Sequence, residues 1–246
     1  MYINTVSILW SAMPADHSAL PKYVQTAELL IREIAAGRIA DGARLKPERE
    51  MAVDLGVSIG TLRKALDDLT EKGLLDRVHG SGNYVRHRAE AAGVYAFFRL
   101  ELLGGGGLPT AMTLSVDGMA KPDDLPDFGP SERAFRIRRL RHLSGTPAAL
   151  EEIWLDGSWA DHLSKADLSE SLYLFYRQRL GLWISGAEDR IGLAPIPDWS
   201  DNRFPPRPGT LAGYIERFSR SQDGALAEYS RTWFDTGVAR YVSRLR

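Results

Sequence analysis

Three short amphipathic segments, each stopped by a glycine, follow one another between Tyr23 and Gly73, and a glycine-rich turn between two short apolar runs comes next. In the first, Tyr23, Ala27, Leu30, Ile31 and Ile34 recur at helical spacing behind Pro21 and ahead of Gly37. Asp41-Gly42 marks a turn. Pro47, with Glu48 and Glu50 behind it, reads as a helix start, since proline suits the first helical position and acids suit the positive end of the helix dipole. Met51, Ala52 and Leu55 give this short helix its apolar side, and Gly56 ends it. Ser58 is placed to cap a third helix in which Leu62, Ala65, Leu66 and Leu69 share one face, while Thr61, Arg63, Lys64 and Asp68 point elsewhere. Residues 74–78 and 83–86 then read as a ribbon turned by His79-Gly80-Ser81-Gly82, whose glycines tolerate positive φ.

This order predicts a winged helix-turn-helix, which sets one helix in the major groove of DNA and a hairpin along its backbone. The whole chain is no polycation, with 31 basic against 32 acidic residues, so any affinity for DNA has to come from a local face. Residues 21–88 carry twelve Lys and Arg against ten Asp and Glu, which leaves the remainder acidic. At 246 residues and 44% hydrophobic content the chain has room for two ordinary domains. It contains no cysteine, which removes disulfides, thiolate metal sites and cysteine nucleophiles and suits the reducing cytoplasm. The apolar run 2–10 lacks preceding basic residues and is too short to span a bilayer, so residues 1–18 read as a disordered or incidental extension, with Met13 an alternative start.

Residues 89–109, with Tyr95, Phe97 and Phe98 and the run Gly104 to Gly107, read as a linker into a second domain. Segments 135–143 and 148–155 alternate as strands around Ser144-Gly145-Thr146-Pro147, and 211–219 pairs with 225–234 across Gln222-Asp223-Gly224. Ser169 is placed to cap a helix carrying Leu172, Phe175 and Tyr176, and five prolines between Pro195 and Pro208 mark a long loop. Strands first and last with helices between predict an antiparallel-sheet α+β domain, so the whole is an α+β chain of two domains.

The series Pro47-Glu48-Arg49-Glu50, Leu55-Gly56-Val57-Ser58, Thr61-Leu62-Arg63, Gly73-Leu74-Leu75 and Gly80-Ser81-Gly82-Asn83-Tyr84-Val85 resembles the GntR family of bacterial transcription regulators. The second half is similar to the effector-sensing UTRA domain of that family's HutC branch, which has a chorismate-lyase-like fold. The matching pieces are Arg139-Leu140-Arg141, Thr146-Pro147, Ala149-Leu150-Glu151, Ser171-Leu172-Tyr173 and Glu228-Tyr229-Ser230. The expected organisation is an extension over 1–18, a DNA-binding head over 19–88, and a linker with an effector-binding and dimerisation domain over 89–246.

A helix that reads base edges needs small hydrogen-bonding residues and arginines near its N-terminus, where Ser58, Gly60, Thr61 and Arg63 stand. The resemblance adds Arg49 on the preceding helix and His79 with Gly80 at the wing tip. Where the family has an arginine after the serine this chain has Ile59, suited to a thymine methyl, and Lys46 replaces the usual proline and offers a phosphate contact. The bland reading of Arg63 and Lys64 is a solvated helix face.

Alternation along a strand sends Arg139 and Arg141 to one side of a sheet, and two neighbouring arginines call for an anion. The resemblance implies a phosphate or carboxylate held by these arginines beside Ser171 and Tyr173, with Glu151 and Glu228 holding the polar remainder of the ligand. A helix N-terminus at Ser171 would add backbone amides. Phe234 falls where some relatives have tyrosine. The alternative is that both arginines pair with Glu151, Glu152 or Glu228 and bind nothing. The expected function is therefore a ligand-responsive regulator, a repressor, that binds a palindromic operator in double-stranded DNA as a homodimer in the cytoplasm and answers a small anionic metabolite, either a phosphosugar or a carboxylate. The rivals are a chorismate-lyase-like enzyme fused to a DNA-binding head and a nonspecific architectural DNA protein. The histidines show no metal-ligand spacing, no Walker loop or nucleophile elbow appears, and neither a cofactor nor a membrane segment is expected.

Overall fold

Pro21, at φ −51° and ψ 140°, sets the chain in an extended conformation from which only Lys22 onward can coil, and its carbonyl accepts the first bonds of α1 (Lys22–Ala35). The computed structural model of the protein describes residues 20–86 and 95–244. The extension 1–18, the end of the expected head at 87–88, and residues 89–94 of the expected linker fall outside them. Two compact units divide the chain, each folding around its own core.

In the first unit, α2 (Glu48–Asp54) starts directly behind Pro47, one residue later than the sequence suggests, because Pro47 keeps an extended ψ of 139°. Ser58 caps α3 (Ile59–Glu71), its side chain accepting from the Thr61 amide at 3.1 Å. Ala27, Leu30, Ile34, Leu62, Leu66 and Leu69 are buried together. The wing is β1 (Leu75–Val78) against β2 (Gly82–Val85), with Asp76 opposite Tyr84. The segment Gly104–Leu108 also belongs to this unit. Leu108 enters its core and the Gly107 carbonyl accepts from Arg32 at 2.8 Å, so the glycine run does more than lead into the second domain.

The second unit is built on a six-stranded antiparallel sheet, and the expected α+β class holds. Its strands are β4 (Pro109–Ala120), β5 (Arg133–Leu143), β6 (Thr146–Asp156), β7 (Gly186–Pro195), β8 (Leu211–Arg220) and β9 (Leu226–Phe234), in the order β4-β5-β6-β9-β8-β7. A separate pair joins β3 (Leu100–Leu102) to β10 (Ala239–Tyr241). The β5–β6 turn uses two residues rather than four: Leu143 pairs with Thr146, and Ser144 and Gly145 both take positive φ. The helix α4 (Leu172–Phe175) is capped by Ser171 rather than Ser169, whose hydroxyl instead donates to the Ser171 carbonyl. It continues as a wide turn through Tyr176–Leu180.

Candidate nucleic-acid interface and anion site

The geometry of the first unit leaves the DNA candidates at the surface. Arg49, Ser58, Gly60, Arg63, His79 and Gly80 are exposed and Thr61 is half-buried. Three of them already have partners within the protein. The Ser58 and Thr61 hydroxyls lie 2.8 Å apart, and Arg63 donates to Glu48 at 2.6 Å. Lys46 is also engaged, 2.8 Å from Asp54 and 3.2 Å from Glu50, and those carboxylates hold its pKa above the ordinary lysine value. Ile59 is half-buried against the core, so it is shared between packing and surface rather than presented wholly outward.

In the second unit the register puts Arg139 opposite Glu151, Glu151 opposite Thr232, and Glu228 opposite Ser219, so these side chains share one face of the sheet. Arg139 and Arg141 are 3% and 4% exposed, and one carboxylate serves both. Glu151 accepts from Arg139 Nε at 3.0 Å and from Arg141 at 3.0–3.2 Å. Burial pushes the Glu151 carboxyl up, but the two guanidinium charges and their hydrogen bonds outweigh this and hold it below the ordinary carboxylate range. Of the partners the sequence offered, Glu152 lies on the opposite face, where it accepts from Arg138 at 2.8 Å and from the Trp154 indole at 3.3 Å. A further bond from Arg139 goes to the Glu170 carbonyl, and the Phe98 ring lies 4.9 Å from the Arg141 guanidinium carbon.

Around Glu228 the structure gathers hydroxyls. Tyr176 donates at 2.7 Å, Ser219 at 3.0 Å and Tyr173 at 3.1 Å, so the carboxyl is fully enclosed by donors. Burial dominates those bonds and raises its pKa, as burial and then the Glu228 charge raise that of Tyr173. The charge of Arg139 acts on Tyr176, which ties this cluster to the arginine triad. Ser171 is buried and its hydroxyl accepts from the Leu174 amide at 3.4 Å, so its side chain serves the cap of α4.

Sequence reasoning missed Ser219, the pair Arg217–Asp189 at 2.6 Å, and Tyr241, which donates to Asp189 at 2.7 Å. It also gave Phe97 no role. Phe97 packs edge-on against Tyr173, and its carbonyl accepts from Arg217. Counting back from Glu228 through the turn at 222–224 puts Phe218 opposite it, and only the register shift between Ser219 and Arg220 brings Ser219 there; Arg217–Asp189 depends on β7, which has no alternating signal. Among the described residues no group of three His, Cys, Asp or Glu side chains is placed to hold a metal, and no helix is long and apolar enough to cross a membrane.

Comparison with known proteins agrees with this fold. Residues 22–85 match the model of the gntR family of bacterial regulatory proteins, and residues 122–237 match that of the UTRA domain. The chain is 59% identical over 228 residues to the HTH-type transcriptional regulator SmoD of Agrobacterium fabrum, covering 93% of this chain and 97% of that protein. It is 29% identical over 235 residues to the mannosyl-D-glycerate transport/metabolism system repressor MngR of Escherichia coli, covering 90% and 95%. Among solved structures, the possible transcriptional regulator YydK of Bacillus subtilis has the same fold, with a TM-score of 0.51 at 20% identity over 92% of this chain and 100% of that one.

Proposed function

Because the chain belongs to the gntR family of bacterial regulatory proteins and carries a UTRA domain behind its DNA-binding head, we propose that it is a transcriptional repressor whose hold on DNA is set by a small anionic metabolite. The enzyme reading drops out with the family, whose members are regulators. In this reading residues 19–88 form the head and 89–246 the linker and sensing domain. Arg49, Ser58, Gly60, Thr61 and Arg63 meet the groove, while His79 and Gly80 follow the backbone at the wing. A single head reads few base pairs, so two copies related by a twofold axis on a palindromic operator supply the missing specificity. The protein acts where the chromosome is, in the cytoplasm.

The observation that carries the effector class is the triad Arg139–Glu151–Arg141. Two buried guanidiniums share one carboxylate, which leaves a net positive charge beside the hydroxyls of Tyr173 and Tyr176. An anion of matching size compensates that charge, and a polyhydroxylated remainder suits the surrounding donors and carboxylates. A phosphosugar or a sugar carboxylate fits both demands. MngR, named for a mannosyl-D-glycerate system, lends the sugar-carboxylate class some support.

Isothermal titration of the full chain with sugar phosphates and glycoside carboxylates tests this. Heat is expected with wild type and none with the Arg139→Ala/Arg141→Ala variant. Equal heats from the two proteins would remove the triad from the ligand site. Coupling between sites is reciprocal, so a bound DNA duplex should weaken the anion by the factor by which the anion weakens DNA.

A further inference from the structure

Charge on the first unit is largely neutralised within it. Arg63 pairs with Glu48, Lys46 with Asp54, Arg77 with Asp67 and Arg86 with Asp76. By contrast, Arg44, Arg49 and Lys64 are exposed and, among the described residues, have no carboxylate within ion-pair distance. Arg49 and Lys64 lie on the two helices of the helix-turn-helix. Arg44 lies beside the wing, and neither the sequence nor the family resemblance names it as a contact.

The backbone explains its position. The Gly42 amide donates to the Val85 carbonyl and the Leu45 amide to the Asn83 carbonyl, so residues 42–45 run beside β2, with Arg44 bridged to Tyr84. From there the guanidinium extends toward the turn. A Cβ on Gly82 would stand 3.3 Å from Arg44 Nε and 3.7 Å from its terminal nitrogen. Gly82, at φ +128°, therefore serves two ends at once: it takes a backbone conformation that side chains resist, and it clears the surface on which the arginine lies. Tyr84 is held in place by its hydroxyl, 2.7 Å from that of Ser81. The result is a planar, permanent cation, without a carboxylate partner among the described residues, lying along the ribbon toward its turn.

We propose that Arg44 is a DNA-binding residue of the wing, gripping a backbone phosphate beside the groove that the ribbon follows. This rests on the DNA-binding reading above. A guanidinium matches a phosphate through paired N–H bonds, and such a contact fixes register without reading sequence. Arg44 therefore contributes to affinity for any duplex and to its salt dependence rather than to operator choice.

The test is the salt dependence of binding of the full chain to a labelled random-sequence duplex, followed by fluorescence anisotropy. Removing one bond to a phosphate lowers the steepness of log K against log salt by about 0.9. Arg44→Gln should lower it by that amount per bound head, Arg44→Lys should preserve it, and Arg207→Gln, which removes the same charge from an exposed loop of the second unit, should leave it unchanged. An Arg44→Gln slope equal to wild type overturns the proposal while leaving the regulator reading intact. An equal loss in Arg44→Lys and Arg44→Gln assigns the effect to ribbon geometry and overturns it too. Wild type that binds no duplex at any salt sinks the regulator reading itself. Thermal melts of each variant identify any that fail to fold, and in that event Arg44→Met, which keeps the length and apolar stem of the side chain without its charge, must give the shallower slope or the proposal falls.

Discussion

Arg63 on α3 and Glu48 on α2 are joined by a 2.6 Å hydrogen-bonded ion pair, with the arginine side chain 63% exposed. The residue expected to meet DNA thus has an acidic partner in the free protein. That partner sits at the first position of the preceding helix, where the dipole favours a carboxylate. In the proposed interface DNA would have to take the guanidinium from it.

Arg63→Ala is therefore expected to weaken binding to a duplex selected from a random pool by about 1–3 kcal/mol at fixed salt. Glu48→Gln should do the reverse. It removes a competitor worth about 0.2–1 kcal/mol and a negative charge from the same surface, so binding tightens. Gel-shift titrations of both variants check this, and weaker binding by Glu48→Gln would show that the carboxylate aims the arginine instead of restraining it.

Ser58 combines capping with a place in the proposed interface. Ser58→Ala should cost about 1 kcal/mol of stability by removing the cap on α3, read as a lower denaturant midpoint. Ser58→Asp can still cap the helix but brings an anion to the phosphate backbone. It should keep the midpoint and lose DNA affinity, a separation that a purely structural serine would not give.

Glu151 makes stability depend on pH in a defined direction. Its folded pKa lies below its unfolded value, so its contribution is fully present above the ordinary carboxylate range and is lost as pH falls through the folded value. Glu151→Gln should shrink this acid-side loss. Glu151→Ala, which leaves two guanidiniums buried without a counter-ion, should cost about 3–5 kcal/mol at neutral pH. Five of the six tryptophans, Trp154, Trp159, Trp183, Trp199 and Trp233, belong to the second unit, so indole fluorescence follows this transition within the full chain.

Gly213 lies on β8 directly opposite Phe234 on β9, and a methyl group there would enter the volume of the phenyl ring. Gly213→Ala should destabilise the second unit by about 1–3 kcal/mol through overpacking. Combined with Phe234→Leu it should cost less than the sum of the two single changes, because the smaller side chain vacates the contested space. Additive costs in a double-mutant cycle would show that the ring moves aside freely.

Where local chemistry decides, the sequence was informative. Ser58 and Gly73 bracket α3, and the β5–β6 and β8–β9 hairpins follow from alternation around turn residues. Elsewhere the deciding partner lies far along the chain. Strand β7 shows little apolar alternation because it forms the sheet edge, where Ile191 and Leu193 stay exposed, and β3 is a strand only because β10 returns to it. At the candidate anion site alternation put Arg139 and Arg141 on one face, but the choice of Glu151 over Glu152 or Glu228 as their partner waited on the β5–β6 register. Ser171 over Ser169 as the cap was decided by a helix that starts two residues later than its first polar candidate.

The strand order also bears on how the second unit assembles. β4, β5 and β6 follow one another as one meander and β7, β8 and β9 as another, and among the described residues the only strand pairing between them is β6 with β9. Each half can zip through neighbouring hairpins, whereas closing that central seam joins segments far apart in sequence and carries the larger loop-closure cost. Glu151 lies on one side of the seam and Glu228 on the other. A metabolite held by both would act as a clasp across the junction with the larger closure cost, and its presence would appear as slower unfolding of the sheet.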